Sequence, residues 1–338
     1  MDYGEVLEKA KKTMGSRCKV CKVCDGRGCR GIIPGPGGKG TGSSFIRNVD
    51  KLSDIRINMD LVYNRTEIDT SVELFGLKLN YPFFPAPISA VELHYHHYYT
   101  DREYSDAILK GSKASKSIGF TGDGEVEEYY TMGIDAVKSV NGWGIPTIKP
   151  WNINEILRKL KMAEEAGAPA VAMDIDAGGL PIMGHEKEIG PKSLEDLRKI
   201  IDSTELPVII KGIMTVDSAL RVLESGAYGI VVSNHGGRVL DFTPATVEVL
   251  PEIAKAVKGE MKVLFDGGVR SGLDVFKALA LGADGVLIGR PYAIAAYGGG
   301  EKAVELYTKM IGDELRQTMI MTGFSRIRDI NESALFMG

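Results

Sequence analysis

Residues 229–250 read GIVVSNHGGRVLDFTPATVEVL. The first half is an apolar, β-branched run of the kind that lies buried in a parallel sheet. It stops abruptly at Asn234, His235, two glycines and Arg238, and Pro244 with the Val247/Leu250 spacing then announces a helix. A polar turn between strand and helix is the plain reading of such a segment in isolation. Whether His235 and Arg238 do more depends on how many such units the chain contains and on what stands at their ends.

Seven further apolar runs recur: YPFFPAPI (81–88), SIGF (117–120), PTIKPW (146–151), AVAMDID (170–176), PVIIKG (207–212), KVLFDGG (262–268) and GVLIGR (285–290). Segments with helical spacing lie between them, such as NEILRKLKMAEEAGA (154–168), TVDSALRVLESGA (215–227) and SGLDVFKALALGA (271–283), and glycines punctuate their ends. Strands apolar on both faces and joined by crossover helices belong to a parallel sheet covered on each side. Eight such units are the number that closes a barrel, with an open doubly wound sheet as the alternative. The expected fold is therefore α/β, a (β/α)₈ TIM barrel over residues 46–332, preceded by a Cys-rich extension over residues 1–45.

The 338 residues are 44% hydrophobic and 25% charged, which suits a turn-rich globular protein rather than a disordered or fibrous one. A net charge of −4 gives no basic footprint for nucleic acid. No apolar run approaches the roughly 20 residues that cross a bilayer, and the opening MDYGEVLEKAKK lacks the apolar core of a signal peptide. A cytoplasmic protein without a membrane partner is expected.

Barrel active sites lie at the C-terminal ends of the strands. Those ends carry Lys149 with Trp151, Asp174 with Asp176, Lys211, His235 with Arg238, Asp266 with Arg270, and Arg290. So many charges around one mouth would repel or stay unpaired unless a polar ligand sat among them. The seventh and eighth strands lead into DGGVRSG (266–272) and IGRP (288–291), positions where glycine backbone and arginine commonly hold a phosphate. Arg270 and Arg290 fit that role. With Lys211 beside them, they suit a phosphorylated cofactor lying across the mouth and a small-molecule substrate above it.

SNHGGRVLD (233–241), PVIIKG (207–212), FDGGVRSGLDVFKALALGADGVLIGRP (265–291) and PFFPAPIS (82–89) resemble the FMN-dependent 2-hydroxy acid dehydrogenases and oxidases, the group that includes glycolate oxidase and lactate oxidase. The resemblance extends over about residues 45–332. It implies FMN as cofactor, His235 as the base that takes a proton from substrate, and Arg238 as the holder of the substrate carboxylate. It further implies Lys211 beside flavin N1, and Asp176 as the group that orients His235 and stabilises its protonated form. Flavin contacts would come from Pro87, Thr121, Lys149, Asp174, Ser233, Asp266, Gly267, Gly268, Arg270, Gly289 and Arg290. Family assemblies suggest a homo-oligomer of four or more copies. The electron acceptor is not implied.

The same comparison has gaps. The family carries glutamine and tyrosine where this chain has Lys149 and Trp151, and threonine where it has Asp174. A second carboxylate-binding arginine is absent from DAGGLPIMGHEKEIGP (176–191), where Met183 stands near its place, and GPGGKGTGSSF (35–45) holds no counterpart of the family's N-terminal tyrosine. Trp151 is thus expected as a substrate contact. VELHYHHYYTD (91–101) is expected to overhang the cofactor, with His94, His96 and His97 available to substrate or, as a lesser alternative, a metal, or the aromatic residues available to a neighbouring subunit. Two rival functions stay open at this point. One is a non-redox flavin isomerase related to the type 2 isopentenyl diphosphate isomerases, and the other a flavin and metal electron-transfer module.

All four cysteines fall in CKVCKVCDGRGC (18–29). Cys18, Cys21, Cys24 and Cys29 have the spacing C-x₂-C-x₂-C-x₄-C, one residue from a ferredoxin-type run but without its closing proline. CKVCDGRG also resembles the half-site of zinc-binding chaperone domains. Four thiolates so close together suit one metal site, an iron–sulfur cluster or zinc, with free thiols or a redox switch as the remaining alternative.

Overall fold

The computed structural model describes residues 2–64, 66–179 and 189–336. The eight apolar runs form eight strands of one parallel sheet: β1 (Phe83–Pro85), β2 (Phe120–Thr121), β3 (Ile145–Ile148), β4 (Val171–Asp174), β5 (Val208–Ile213), β6 (Gly229–Val232), β7 (Lys262–Asp266) and β8 (Gly285–Ile288). Their order is β1-β8-β7-β6-β5-β4-β3-β2. Only β1 and β2 then remain to meet, and side chains cross that seam. Ser117 Oγ donates to the Phe83 carbonyl at 3.0 Å and Ser89 Oγ to the Asp123 carbonyl at 2.6 Å. The sheet is a (β/α)₈ barrel, not an open sheet.

Alternation along each strand explains why the runs read as continuously apolar. Ile230 and Val232, Val263 and Phe265, and Val286 and Ile288 pack outward with the helices. Val231, Leu264 and Leu287 point inward with Phe84, Phe120, Ile145, Ala172 and Ile209. Both faces are buried, so neither tolerates polar residues. The hairpin Val72–Leu74/Leu77–Leu79 closes the N-terminal end, its Phe75 ring set edge-on to Phe84 and Phe120 at 5.8 and 6.2 Å. Two residues beyond each inward apolar side chain, the strand period returns to the interior. There the chain has Ala86, Gly122, Thr147, Asp174, Lys211, Ser233, Asp266 and Gly289. The barrel interior is apolar below this layer, and five of the layer's eight side chains are polar.

The N-terminal helix Tyr3–Thr13 lies on the helix Arg290–Thr322, which bends at Gly300. A side chain at Gly298 would come within 2.2 Å of the Val6 carbonyl oxygen, so glycine is required for that close approach. The helix Ser43–Asp54 spans the expected boundary at residue 45. Its Asn48 exchanges two amide hydrogen bonds with Asn234, at 2.8 and 3.0 Å, which docks the helix on the loop after β6. Among the described residues, no helix is long and apolar enough to cross a membrane.

Candidate active site

The strand ends open into a cavity of about 170 Å³. His235, Arg238, Lys149, Asp174, Lys211, Asp266, Gly267, Gly268, Arg270, Gly289, Arg290 and Pro87 all line it, together with Asp123 and His94. Ser233 stands just behind this surface, but Thr121 is a correction: between the inward Phe120 and Gly122 it faces outward, its hydroxyl against Gly133 of the helix Glu127–Ser139; both residues are buried. The question raised by the end of β6 has a geometric answer. Ser233 is the inward residue above Val231, and its hydroxyl accepts the His235 N–H at 3.0 Å. His235 takes the left-handed conformation, φ 56°, and Gly236 and Gly237 follow it there. Side chains rarely adopt that region without being held. The Cβ of any residue at 237 would strike the Phe45 backbone nitrogen at 2.4 Å, so the helix Ser43–Asp54 dictates that glycine. The turn aims the imidazole into the cavity and sends Arg238 to the rim.

His235 Nδ1 lies 2.7 Å from Asp176 Oδ1 and 3.5 Å from Asp174 Oδ1. Nε2 is left for a ligand. Lys211 Nζ is held between three carboxylates, at 2.8 Å from Asp174, 3.6 Å from Asp176 and 3.9 Å from Asp266. Burial opposes its charge, but the three carboxylates outweigh burial and raise its pKa. Asp174 responds in the opposite sense. Burial disfavours its charge, yet Lys149 and Lys211 hold its carboxyl well below the usual range. Asp176 and Asp266 are pushed up, by burial first.

Lys149 and Asp174, which depart separately from the family pattern, meet here. Lys149 Nζ donates to Asp174 Oδ2 at 2.6 Å, with both side chains buried. The two charged replacements compensate one another. Trp151, expected at the substrate, is a correction: it is buried beside the cavity without lining it. Its indole N–H donates to Asp123 Oδ2 at 2.6 Å and Lys159 Nζ sits 5.1 Å over its ring. Asp123 escaped the sequence reading. Its carboxylate also accepts from Lys159 Nζ at 2.6 Å and from the Lys149 N–H at 3.0 Å. A signal was present in the helix Ile153–Glu165, because Lys159 shares the buried stripe of Ile156, Leu160 and Ala163. A lysine on such a stripe requires a buried acid.

The rim arginines are engaged differently. Arg238 donates to the Gly35 and Gly37 carbonyls, Arg290 to those of Pro36 (2.6 Å), Gly37 (3.3 Å) and Gly236 (3.1 Å), and Arg270 to those of Cys24 (2.9 Å) and Val269 (2.7 Å). The Arg290 guanidinium also stacks 3.6 Å over the Phe45 ring. Among the described residues, none of the three meets a carboxylate within ion-pair distance. Burial lowers the pKa of Arg290 to about 10, with Arg238 adding to the effect. The expectation that glycines 267 and 268 serve an anion needs amending. At those positions a Cβ would strike Thr246 Oγ1 at 2.4 Å and the Asn48 carbonyl at 2.3 Å, so packing of the loop already demands glycine.

Of the three histidines in the loop after β1, only His94 lines the cavity. His96 and His97 are exposed, and His97 faces Glu92 at 3.6 Å. His94 Nδ1 accepts the Gly35 N–H at 3.2 Å, and its Nε2 lies 3.5 Å from Arg238 Nη2. Burial first, then Arg238, lowers its pKa to about 3, so the ring is neutral. Met183, near which a second arginine would stand, lies outside the described residues.

A family model described as FMN-dependent dehydrogenase matches residues 36–188 and 183–337. Glycolate oxidase 3 of Arabidopsis thaliana is 30% identical over 327 residues, spanning 85% of this chain and 86% of that protein. The 4-hydroxymandelate oxidase of Amycolatopsis orientalis is 28% identical over 350 residues, spanning 88% and 92%. A crystal structure of mandelate oxidase with benzoyl-formic acid superposes with a TM-score of 0.80 at 26% identity, covering 98% of this chain and 97% of that one.

Proposed function

The chain belongs to the FMN-dependent dehydrogenase family, and from that premise we propose that it oxidises a small 2-hydroxy acid or related hydroxylated anion, with His235 as the base. The observation that carries this reading is the Asp176–His235 pair, 2.7 Å apart, with His235 on the cavity wall, Asp176 behind it, and Arg238 one turn further along the same loop. FMN, when bound, accepts the hydride equivalent. His235 Nε2 takes a proton from the substrate, and Asp176 stabilises the imidazolium that results.

Buried polar atoms support the fit to FMN. Thr147 Oγ1 and Asp266 Oδ1, both on cavity-lining residues, have no hydrogen-bond partner among the described residues. Orphan polar atoms of this kind are costly unless a ligand supplies the missing bonds. Arg270 and Arg290 would hold the phosphate, exchanging carbonyl partners for charge-assisted bonds. Lys211 would stand by the flavin ring, where its raised pKa keeps a fixed positive charge. Pro87, Lys149, Asp174, Ser233, Gly267, Gly268 and Gly289 complete the inferred cradle.

Substrate anchoring rests on Arg238 and His94. Since His94 Nδ1 is an acceptor and the ring is neutral, its hydrogen is on Nε2. Two donors then face one another at 3.5 Å, an arrangement that calls for an acceptor between them, and a substrate carboxylate supplies one. A neutral histidine in place of a second arginine makes a weaker clamp, by about 1.5–3 kcal/mol if one charged contact is lost. Glycolate and L-lactate should therefore bind one to two decades more weakly than in a two-arginine site, and larger hydroxylated acids should do better. Anaerobic steady-state assays with a dye acceptor test this, and micromolar KM with ordinary turnover on lactate would refute it. A cytoplasmic setting and assembly into four or more copies are inferences of the same kind, the second open to light scattering.

A further inference from the structure

All four cysteines are reduced, and all four line a second cavity beside the first. Arg290 and Tyr95 belong to both cavities, so they form the wall between them. Chain features bring the thiols there. Val20, between the first two cysteines, holds a left-handed φ of 46°, which a β-branched residue rarely adopts. Gly26 must lack a side chain because its Cβ would meet the Phe45 ring at 2.8 Å, and a Cβ at Gly28 would press on Cys21 Sγ at 3.3 Å. The surroundings are cationic. Arg17, Lys19 and Arg290 line the cavity, its one acid Asp25 is paired with Arg27 at 2.9 Å, and Arg270 Nη2 lies 3.6 Å from Cys24 Sγ.

The spacing of the sulfurs separates the two metals that the sequence allows. A single zinc ion with Zn–S bonds of about 2.3 Å places its four sulfurs about 3.8 Å apart. Among the described residues, the only three potential ligands whose atoms lie within 4.8 Å of one another are Asp174, Asp176 and His235. No three cysteine sulfurs approach that closely. A cluster, which seats each thiolate on a different iron, accepts wider spacing, and the C-x₂-C-x₂-C-x₄-C run is close to a ferredoxin pattern. We propose that Cys18, Cys21, Cys24 and Cys29 bind an iron–sulfur cluster, whose negative charge is balanced by Arg17, Lys19 and the Arg270 and Arg290 side chains. This stands on the thiols and their cavity, and does not rest on the role given to His235.

The test uses the full-length chain purified without oxygen, then treated with ferrous iron and sulfide under a thiol reductant and desalted. Iron, acid-labile sulfide, zinc and released flavin are measured per chain, with electron paramagnetic resonance after dithionite reduction. The expected result is iron and sulfide in equal number, a cluster signal, and a fall of at least tenfold in both elements in the C21S/C29S variant with flavin content unchanged. Neither of those two thiols hydrogen-bonds Arg270 or Arg290, the Cys29 thiol meeting the Gly26 carbonyl instead, so flavin loss is not expected from the substitution itself. Zinc at one per chain without sulfide would overturn the proposal. So would four thiols reacting freely in the folded, iron-treated protein, or undiminished iron in the variant. Should the variant fail to fold, metal content and thiol reactivity of the parent chain still decide.

Discussion

The lysines on the strand ends are buried and the arginines at the rim half-buried, and their charges are met in opposite ways. Lys149 and Lys211 share Asp174 at 2.6 and 2.8 Å, inside a cluster that also holds Asp176 and His235. Arg238, Arg270 and Arg290 instead meet carbonyl oxygens of residues 24, 35–37, 236 and 269. A carboxylate partner cancels a charge, whereas a carbonyl only solvates it. The inner cluster thus pairs its own lysines and is suited to fixing the orientation of a catalytic base. The rim retains positive charge, and an anion can displace its carbonyls. Removing an inner residue should damage chemistry or folding, while removing a rim residue should damage ligand retention.

The largest effect should come from the inner cluster. His235→Ala is expected to lower the rate of flavin reduction by substrate by roughly 10²–10⁴-fold while flavin stays bound. Stopped-flow reduction at saturating substrate measures it, and a parental rate would remove His235 from the mechanism.

Next is folding. Asp174→Thr leaves two lysines buried without their shared partner, and breaking such a pair costs about 3–5 kcal/mol. Denaturant unfolding should show this loss, and the double variant K149Q/D174T should recover part of it, because the cation is removed with the anion. If the double variant is as unstable as the single one, the two replacements are not coupled.

At the rim, Arg270→Ala with Arg290→Ala removes two charge-assisted contacts to phosphate, each worth about 1.5–3 kcal/mol. The protein should emerge folded but largely free of FMN. Full flavin occupancy after purification in moderate salt would place the phosphate elsewhere.

The smallest effect concerns His94, which stands against Gly35 and Arg238 at the rim. Its pKa is lowered to about 3 in the fold, against about 6.5 in the unfolded chain. Between those values the unfolded chain binds the extra proton, so stability contributed at neutral pH is lost as pH falls. Relative to His94→Gln, the parent should lose up to about 1.4 kcal/mol per pH unit below 6.5. Parallel stability profiles for the two proteins from pH 7 to 5 would show that His94 is not buried as described.

Much of the barrel was legible because its signals are local. A strand buried on both faces must be apolar throughout, and the return of the inward period at Lys211, Asp174 and Asp266 puts polar residues at the mouth whatever surrounds them. The end of β6 was legible for the same reason, since no buried strand spends a histidine and an arginine on a turn of no consequence. The direction of Trp151 was not legible. It follows from Lys159 and Asp123, which come from different barrel units and approach only when the helix Ile153–Glu165 brings Lys159 to the loop after β2.

From the sequence alone come the strand count, the polar layer above the apolar interior, and His235 with Arg238 as the pair that β6 presents. All of these follow from a two-residue period and from the residue types that tolerate burial. Tertiary structure alone decided that Lys149 and Asp174 neutralise each other and that backbone carbonyls of residues 24 and 35–37 cradle the rim arginines. It also decided that His94, and not His96 or His97, faces Arg238. Each of these joins segments between 25 and about 250 residues apart. Such meetings depend on which loops overlap once the barrel has closed, and no local period encodes that.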